Sequence, residues 1–242
     1  MEGVYNNVMK NSIKAIIFDC DGTLVDSEGS HLSAWQKVAK NYTGTLSHDD
    51  YIQFVGGSDS SLSKKLAIKL GHDSPEILLN QKREIFLESL NLGLPPILET
   101  VEFVRELFRE RESHGLKLAV ASAALKYEVL TNLKTLGFEN SFDVVLSGHD
   151  DLSDYSDPEG VNKPKPYIYL HAAKILGIKP SECIVVEDSH TGVTSGISAG
   201  CFTIAIPNAF SISHDLSKAS LKLDTLHGFT PKSLLELING LL

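Results

Sequence analysis

The chain has 242 residues, of which 42% are hydrophobic and 22% charged, so it is long enough to bury a substantial core and is ordinary for a soluble globular protein. Its 31 acidic side chains outnumber 22 basic ones, for a formal charge of −9, which argues against a nucleic-acid or membrane-surface role. No apolar run approaches the ~18 residues of a membrane span, and residues 1–11 are polar, without the apolar segment of a secretory signal. A cytoplasmic protein is expected.

Taken in order, residues 1–12 read as a loose leader. Residues 13–18 are an apolar run that stops at Asp19-Cys20-Asp21-Gly22-Thr23. This reads as a buried strand with two carboxylates at its C-terminal end, the edge at which open parallel sheets bind ligands. Two carboxylates so close repel each other and need a cation or a shared proton, although Asp before Gly is also a common turn opener. Strand alternation turns Cys20, between them, toward the core. A helical pattern follows over 27–41, with Leu32, Trp35, Val38 and Ala39 at helical spacing. Others cover 49–54, 60–70 and 74–90, separated by Gly56-Gly57-Ser58 and Gly71-His72-Asp73. No strand pattern occurs over 26–94. Trp35, Tyr42, Tyr51 and Phe54 read as the core of this helical stretch, and His31 either packs at its entrance or touches a ligand.

Beyond Gly93-Leu94-Pro95-Pro96, helices and strands alternate. Helices are predicted at 97–113, 125–136, 165–176 and 191–199, and strands at 116–121, 142–146, 183–186 and 201–206. Residues 216–223 and 231–242 finish the chain, the second as an amphipathic helix. Such alternation implies a parallel sheet with helices on both faces. The expected fold class is α/β. Residues 1–25 and 95–242 make a discontinuous Rossmann-like parallel sheet core, and residues 26–94 an inserted cap domain of four-helix type. Cys20, Cys183 and Cys201, odd in number and each in or beside an apolar run, read as small buried thiols rather than a disulfide framework. The nine histidines are scattered without metal-ligand spacing.

The polar residues at the strand ends converge. The first strand ends in Asp19 and Asp21, the second in Ser122, the helix at 165 is preceded by Lys163, and the strand at 183 ends in Glu187-Asp188. Carboxylates, a hydroxyl and an ammonium at one sheet edge suit a divalent cation and a phosphate together, and an oxygen donor set favours magnesium over a softer metal. Singly, Ser122 reads as a helix N-cap, Lys163 as a solvated lysine, and Glu187 and Asp188 as caps of the next helix. Their coincidence at separate strand ends weighs against those readings.

These motifs resemble the haloacid dehalogenase-like phosphohydrolases, closest to the branch that contains β-phosphoglucomutase and small sugar-phosphate phosphatases. The matching residues are Asp19-Cys20-Asp21-Gly22-Thr23-Leu24-Val25-Asp26-Ser27-Glu28, Ser122, Lys163-Pro164-Lys165-Pro166 and Glu187-Asp188-Ser189-His190-Thr191-Gly192-Val193, and the resemblance covers residues 13–206. It implies Asp19 as the nucleophile that forms a phosphoaspartate. Asp21 would be general acid and then base, its pKa raised by a neighbouring carboxylate. Magnesium would be held by Asp19, the backbone carbonyl of Asp21, and Asp188, with Glu187 as a ligand or behind the ligands. Gly22, Ser122, Ala123 and Lys163 would bind the phosphoryl group, Lys163 also neutralising the nucleophile.

An acid at Asp21 implies phosphate-ester chemistry rather than dehalogenation. The related mutase holds a second phosphate with the arginine of a Gly-x-Ser-Arg cap segment. Here the matching stretch is Gly56-Gly57-Ser58-Asp59, and Asp59 would repel that phosphate. The mutase lysine three residues after the motif serine is Leu125 here, with Lys126 next. Lys64, Lys65, Lys82 and Arg83 remain as other cap cations. The expectation is therefore a magnesium-dependent phosphatase acting on a small phosphate monoester, a sugar or polyol phosphate, with a β-phosphoglucomutase-type mutase as the alternative. A non-catalytic phospho-receiver or binding module is more remote, because a cap exists to close over a substrate. Tyr167 stands where the family usually has Asp. The acidic loop 149–162 reads as a solvated excursion bordering the site. The expected partner is a small phosphorylated metabolite, with no nucleic acid and no membrane, and the chain is expected to be a monomer.

Overall fold

Strand β1, Ala15–Phe18, lies inside the sheet with every residue buried. The structure, a computed structural model, describes residues 13–53 and 59–241; the leader 1–12, Phe54, Gly56-Gly57-Ser58 and Leu242 lie outside the described residues. β1 pairs in parallel with β2, Lys117–Ser122, on one side and with β4, Cys183–Glu187, on the other. With β3, Val144–Ser147, β5, Phe202–Ala205, and the two-residue β6, Leu221–Lys222, the sheet has the order β3-β2-β1-β4-β5-β6, and all its ladders are parallel. The chain winds outward from β1 to β3, then crosses back to β4. The point where the direction reverses, between β1 and β4, opens a crevice at the C-terminal strand ends.

Alternation along the strands divides the core. Ile16, Phe18, Leu118, Val120, Ile184 and Val186 face one side and meet α5, Leu98–His114, α6, Lys126–Thr135, and α9, Pro231–Leu241. Ala15, Ile17, Ala119, Ala121 and Val185 face the other, under α7, Tyr167–Leu176. α8, His190–Ser198, lies beside α7 and packs on β4 and β5. Small alanines on the second face let α7 approach closely. Cys20 is fully buried in the first cluster, and all three cysteines are buried and free.

Between β1 and α5 run α1, Glu28–Asn41, α2, His48–Ile52, α3, Asp59–Leu70, and α4, Pro75–Leu92. No strand occurs among the described residues of this stretch. Ser47 opens α2 with a capping box and Ser74 opens α4 with a side-chain cap, each satisfying an N–H that the helix leaves orphaned. Trp35 is fully buried among Val38, Leu62, Leu66 and Leu78, and Tyr51 joins that cluster with Tyr42 at its margin. Truncating a buried aromatic of this kind costs about 3–5 kcal/mol. The far end of α4 instead sends Phe86 and Leu90 into the main core. Where the chain enters and leaves the helices, Asp26 N–H donates to the carbonyl of Pro95 at 2.8 Å and Ile97 N–H to Leu24 at 2.9 Å.

Element bounds shift from the sequence reading where local hydrogen bonding decides. α7 starts at Tyr167 rather than at residue 165, because Lys165 N–H closes a turn onto the Asn162 carbonyl. The acidic loop is largely exposed, as read from the sequence, and is anchored at two points. Asp151 takes an ion pair from Lys126 at 2.7 Å and the Ser147 N–H, and Asp157 accepts from the Tyr167 hydroxyl at 3.1 Å with Lys165 beside it. Lys126 and Tyr167 thus serve the loop.

Candidate active site

The turn after β1 is what aims the first carboxylates. N–H groups of Leu24 and Val25 converge on the Cys20 carbonyl at 2.8 and 3.1 Å, and Gly22 N–H returns to Val25 at 2.8 Å. Gly22 sits at φ +79°, where a side chain is strained. A Cβ there would lie 2.5 Å from Asp188 Oδ2, so glycine also admits Asp188 to the turn.

Asp19, Glu187 and Asp188 stand side by side because β1 and β4 are in register, Phe18 opposite Val186, with Asp19 N–H bonded to the Val186 carbonyl. Oxygens of the three carboxylates lie within 4.8 Å of one another, and all three residues are buried. One ammonium answers them. Lys163 Nζ donates to Asp19 Oδ1 at 2.6 Å, Glu187 Oε1 at 2.7 Å and the Ala121 carbonyl at 3.0 Å. Lys165, two residues on, points instead to Glu159 at the surface.

Burial pushes the Asp19 carboxyl up to about 8 although Lys163 pulls the other way, and burial with the charges of Glu187 and Asp19 raises Asp188 strongly. Glu187 goes down despite its burial, because Lys163 and its hydrogen bonds outweigh the desolvation. Lys163 is driven up: its burial opposes this, and the charges of Asp19 and Glu187 overcome it. Like charges 4 Å apart repel by about 4 kcal/mol at an effective dielectric of 20. A cluster of three buried carboxylates and one ammonium is therefore short of positive charge. An all-oxygen donor set with that deficit fits a hard divalent cation.

Glu187 is fully engaged by protein donors. Oε1 takes Lys163 and the Tyr169 hydroxyl, the latter at 2.8 Å, and Oε2 takes the N–H of Asp188 and of Ser189 and the Ser189 hydroxyl. Gly192 allows this: a Cβ there would fall 1.8 Å from the carboxylate. The N-cap of α8 is Ser189, its oxygen accepting from Gly192 N–H, and not Glu187 or Asp188.

Asp21 faces the same edge. Ser122 Oγ donates to Asp21 Oδ2 at 3.0 Å and accepts from Ala124 N–H at 3.0 Å. The Asp21 carboxyl is raised, as expected, but the cause differs. Burial is the largest contribution, with hydroxyl hydrogen bonds working against it, and no neighbouring carboxylate leads. Ala123 follows Ser122 at the exposed rim. The eight residues singled out from sequence, Asp19, Asp21, Gly22, Ser122, Ala123, Lys163, Glu187 and Asp188, stand at the C-terminal ends of β1, β2 and β4 or in the loop before α7.

Three further residues belong to the arrangement. Tyr169, on α7, braces Glu187, with its ring 5.0 Å from Lys163 Nζ. Asn208, after β5, donates to Asp188 Oδ2 at 2.9 Å and to the Gly22 carbonyl at 3.1 Å. Lys82, on α4, bonds Asp59 Oδ2 and His31 Nδ1, and its charge acts on Asp21. His31 packs: its ring stacks on Phe86 at 4.0 Å.

Known proteins match this chain over most of its length. Residues 16–206 match the family described as haloacid dehalogenase-like hydrolase. The chain is 29% identical over 237 residues to the phosphorylated carbohydrates phosphatase of Thermotoga maritima, covering 95% of this chain and 100% of that protein. It is 28% identical over 232 residues to hexitol phosphatase A of Escherichia coli, covering 90% and 93%. The solved β-phosphoglucomutase of Clostridium difficile superimposes with a TM-score of 0.72 over 94% of this chain and 98% of that one, at 22% identity, a likeness of fold. No helix among the described residues is long and apolar enough to cross a membrane.

Proposed function

The chain belongs to the haloacid dehalogenase-like hydrolases, and we propose that within that family it is a magnesium-dependent phosphatase that hydrolyses a small phosphate monoester, a sugar or polyol phosphate, through a phosphoaspartate on Asp19. The observation that carries this reading is the buried carboxylate cluster of Asp19, Glu187 and Asp188 around the single ammonium of Lys163, with Asp21 and Ser122 hydrogen-bonded beside it. The relatives named for phosphorylated carbohydrates and hexitols support the substrate class.

Asp19 and Asp188, with the Asp21 backbone carbonyl, would hold the magnesium ion, and Glu187, whose oxygens are already taken, would hold Lys163 and the turn behind them. Bound there, the ion supplies the positive charge that lets a carboxylate approach a phosphate dianion. Asp19 attacks phosphorus while Asp21, whose carboxyl is raised by burial, protonates the leaving alkoxide. In the second half Asp21 takes a proton from water as it attacks the phosphoaspartate. Lys163 neutralises Asp19 and a transferring oxygen throughout. Ser122 holds Asp21 until substrate arrives, and its hydroxyl with the Ala123 N–H and Gly22 then takes phosphoryl oxygens. Residues 26–94 act as a cap that excludes water from the first half-reaction.

Hydrolysis is favoured over mutase chemistry by one observation. Lys82, buried in the insert, is already neutralised by Asp59, so it is not free to hold a second phosphate. The test is release of inorganic phosphate from p-nitrophenyl phosphate and from a panel of sugar and polyol phosphates, with magnesium and with EDTA. Magnesium-dependent release is expected. Absence of turnover across the panel, by protein shown to be folded, sinks the reading, and faster conversion of β-glucose 1-phosphate to glucose 6-phosphate than release of phosphate selects the mutase.

A further inference from the structure

The loop after β5 touches the sheet edge and the helical insert at once. On the sheet side, Asn208 Nδ2 bridges Asp188 Oδ2 and the Gly22 carbonyl. Its Oδ1 accepts the N–H of Phe210 at 2.8 Å and of Ser211 at 3.2 Å, and its own N–H donates to Ser211 Oγ at 3.0 Å. Ser211 is fully buried. On the insert side, the Phe210 ring lies 5.4 Å from His48 and 6.3 Å, edge-on, from Tyr51, both on α2, and joins the cluster around Trp35. Tyr51 in turn donates to Glu28 Oε2 at 2.6 Å, at the start of α1.

We propose that this loop transmits the position of the helical insert to the carboxylate of Asp188, with Asn208 as the positioning residue and Phe210 as the contact through which the insert sets the loop. The inference rests on the reading of Asp188 as a group that holds the metal. Only one residue separates Asn208 from Phe210, and the Asn208 side chain knits the backbone between them, so the turn moves as a unit. The Asn208 amide does more than cap its own turn, because its Nδ2 reaches out of the turn to two segments distant in sequence. Space is reserved for it there: a Cβ on Gly22 would lie 2.9 Å from Nδ2. When the insert lies against the core, Phe210 is seated and Asp188 is held. When the insert swings away, the seat is lost and the Asn208 bond to Asp188 loosens. Partners behind ligating groups of this kind commonly change metal affinity by about 10–100-fold.

The test is calorimetric titration of the full chain with magnesium, without substrate, alongside thermal unfolding. Asn208→Ala is expected to weaken magnesium binding about tenfold, and Phe210→Ala about three- to tenfold although it touches no proposed ligand. Phe210→Leu, which refills the seat, is expected to restore binding to within about twofold. His48→Ala removes a half-exposed partner of the ring and provides a variant with little risk to folding; it is expected to weaken binding in the same direction. Unchanged affinity in Asn208→Ala, or in both Phe210→Ala and His48→Ala, overturns the coupling. If the wild type binds no magnesium, the metal reading fails and the coupling with it; wild-type binding with unaltered variants sinks the coupling alone.

Discussion

Lys82 Nζ lies 2.6 Å from Asp59 Oδ2 and 2.7 Å from His31 Nδ1, with its side chain only 2% exposed. Trp35 Nε1 donates to the other oxygen of Asp59 at 3.1 Å, which fixes the carboxylate in place. The Lys82 charge, which acts on Asp21, is thus cancelled inside the insert. Asp59→Asn removes the cancelling charge and keeps the shape. The ratio of kcat/KM for sugar bisphosphates over the matching monophosphates is expected to rise about tenfold, equivalent to ~1.4 kcal/mol. An unchanged ratio would show that Asp59 has no part in excluding a second phosphate.

Asp19→Asn keeps the size of the side chain and removes its nucleophilicity. Turnover of p-nitrophenyl phosphate with magnesium is expected to fall by about 10³-fold or more, with far-ultraviolet circular dichroism unchanged. Activity near the wild-type level would remove Asp19 from the nucleophile's role.

Glu187 and Lys163 form a buried pair, with side chains 0% and 6% exposed. Glu187→Gln takes one of its two carboxylate partners from the Lys163 ammonium and, in either amide orientation, turns an NH2 group toward donors, Lys163 and Tyr169 on one side or the Asp188 and Ser189 N–H groups on the other. Breaking a buried pair on one side costs about 3–5 kcal/mol, and denaturant unfolding of the metal-free protein is expected to show a loss of that size. A loss below about 1 kcal/mol would mean the pair is better solvated than its burial implies.

His31 gives the molecule an acid-sensitive element. Burial, with help from the Lys82 ammonium, holds its imidazole down to about 3, against an ordinary value of 6.5. Below pH 6.5 the unfolded chain therefore binds a proton that the folded chain refuses until about pH 3, so this residue's contribution to stability shrinks as pH falls through that window. His31→Gln still offers Lys82 an acceptor and does not titrate. The drop in Tm between pH 7 and pH 5 is expected to be smaller in the variant than in the wild type, and an equal drop would contradict the assignment.

Much of the sheet and its polar edge is readable along the chain because each signal is local. An apolar run that breaks at Asp19, at Ser122 or at Glu187 marks a strand and its end together, and 3.6-residue periodicity marks the helices of the insert. Tyr169 and Asn208 escape such reading because their roles depend on what lies across the fold, and Lys82 is legible only as one of four cap cations. Asn208 meets Gly22 across 186 positions of sequence, and nothing beside it in the chain announces that. Lys82 looks like one more charged residue on a helix until the packing of His31 and Asp59 closes over it. Gly192 did carry a signal, since a glycine inside a helix asks for a reason; the Glu187 carboxylate against it is that reason.

The placing of β1 between β2 and β4 has a consequence for how the protein is made. β1 emerges from the ribosome early and β2 midway, but the partner for the other edge of β1 arrives only with Cys183–Glu187. At ~5–20 residues per second, the roughly 60 residues from the end of β2 to the start of β4 leave that edge bare for several seconds. It is the most apolar edge in the sheet, Ala15-Ile16-Ile17-Phe18, and bare apolar edges recruit other chains. The central position that brings Asp19 beside Asp188 thus exposes the nascent chain to aggregation until β4, at the opening of its last quarter, is synthesised.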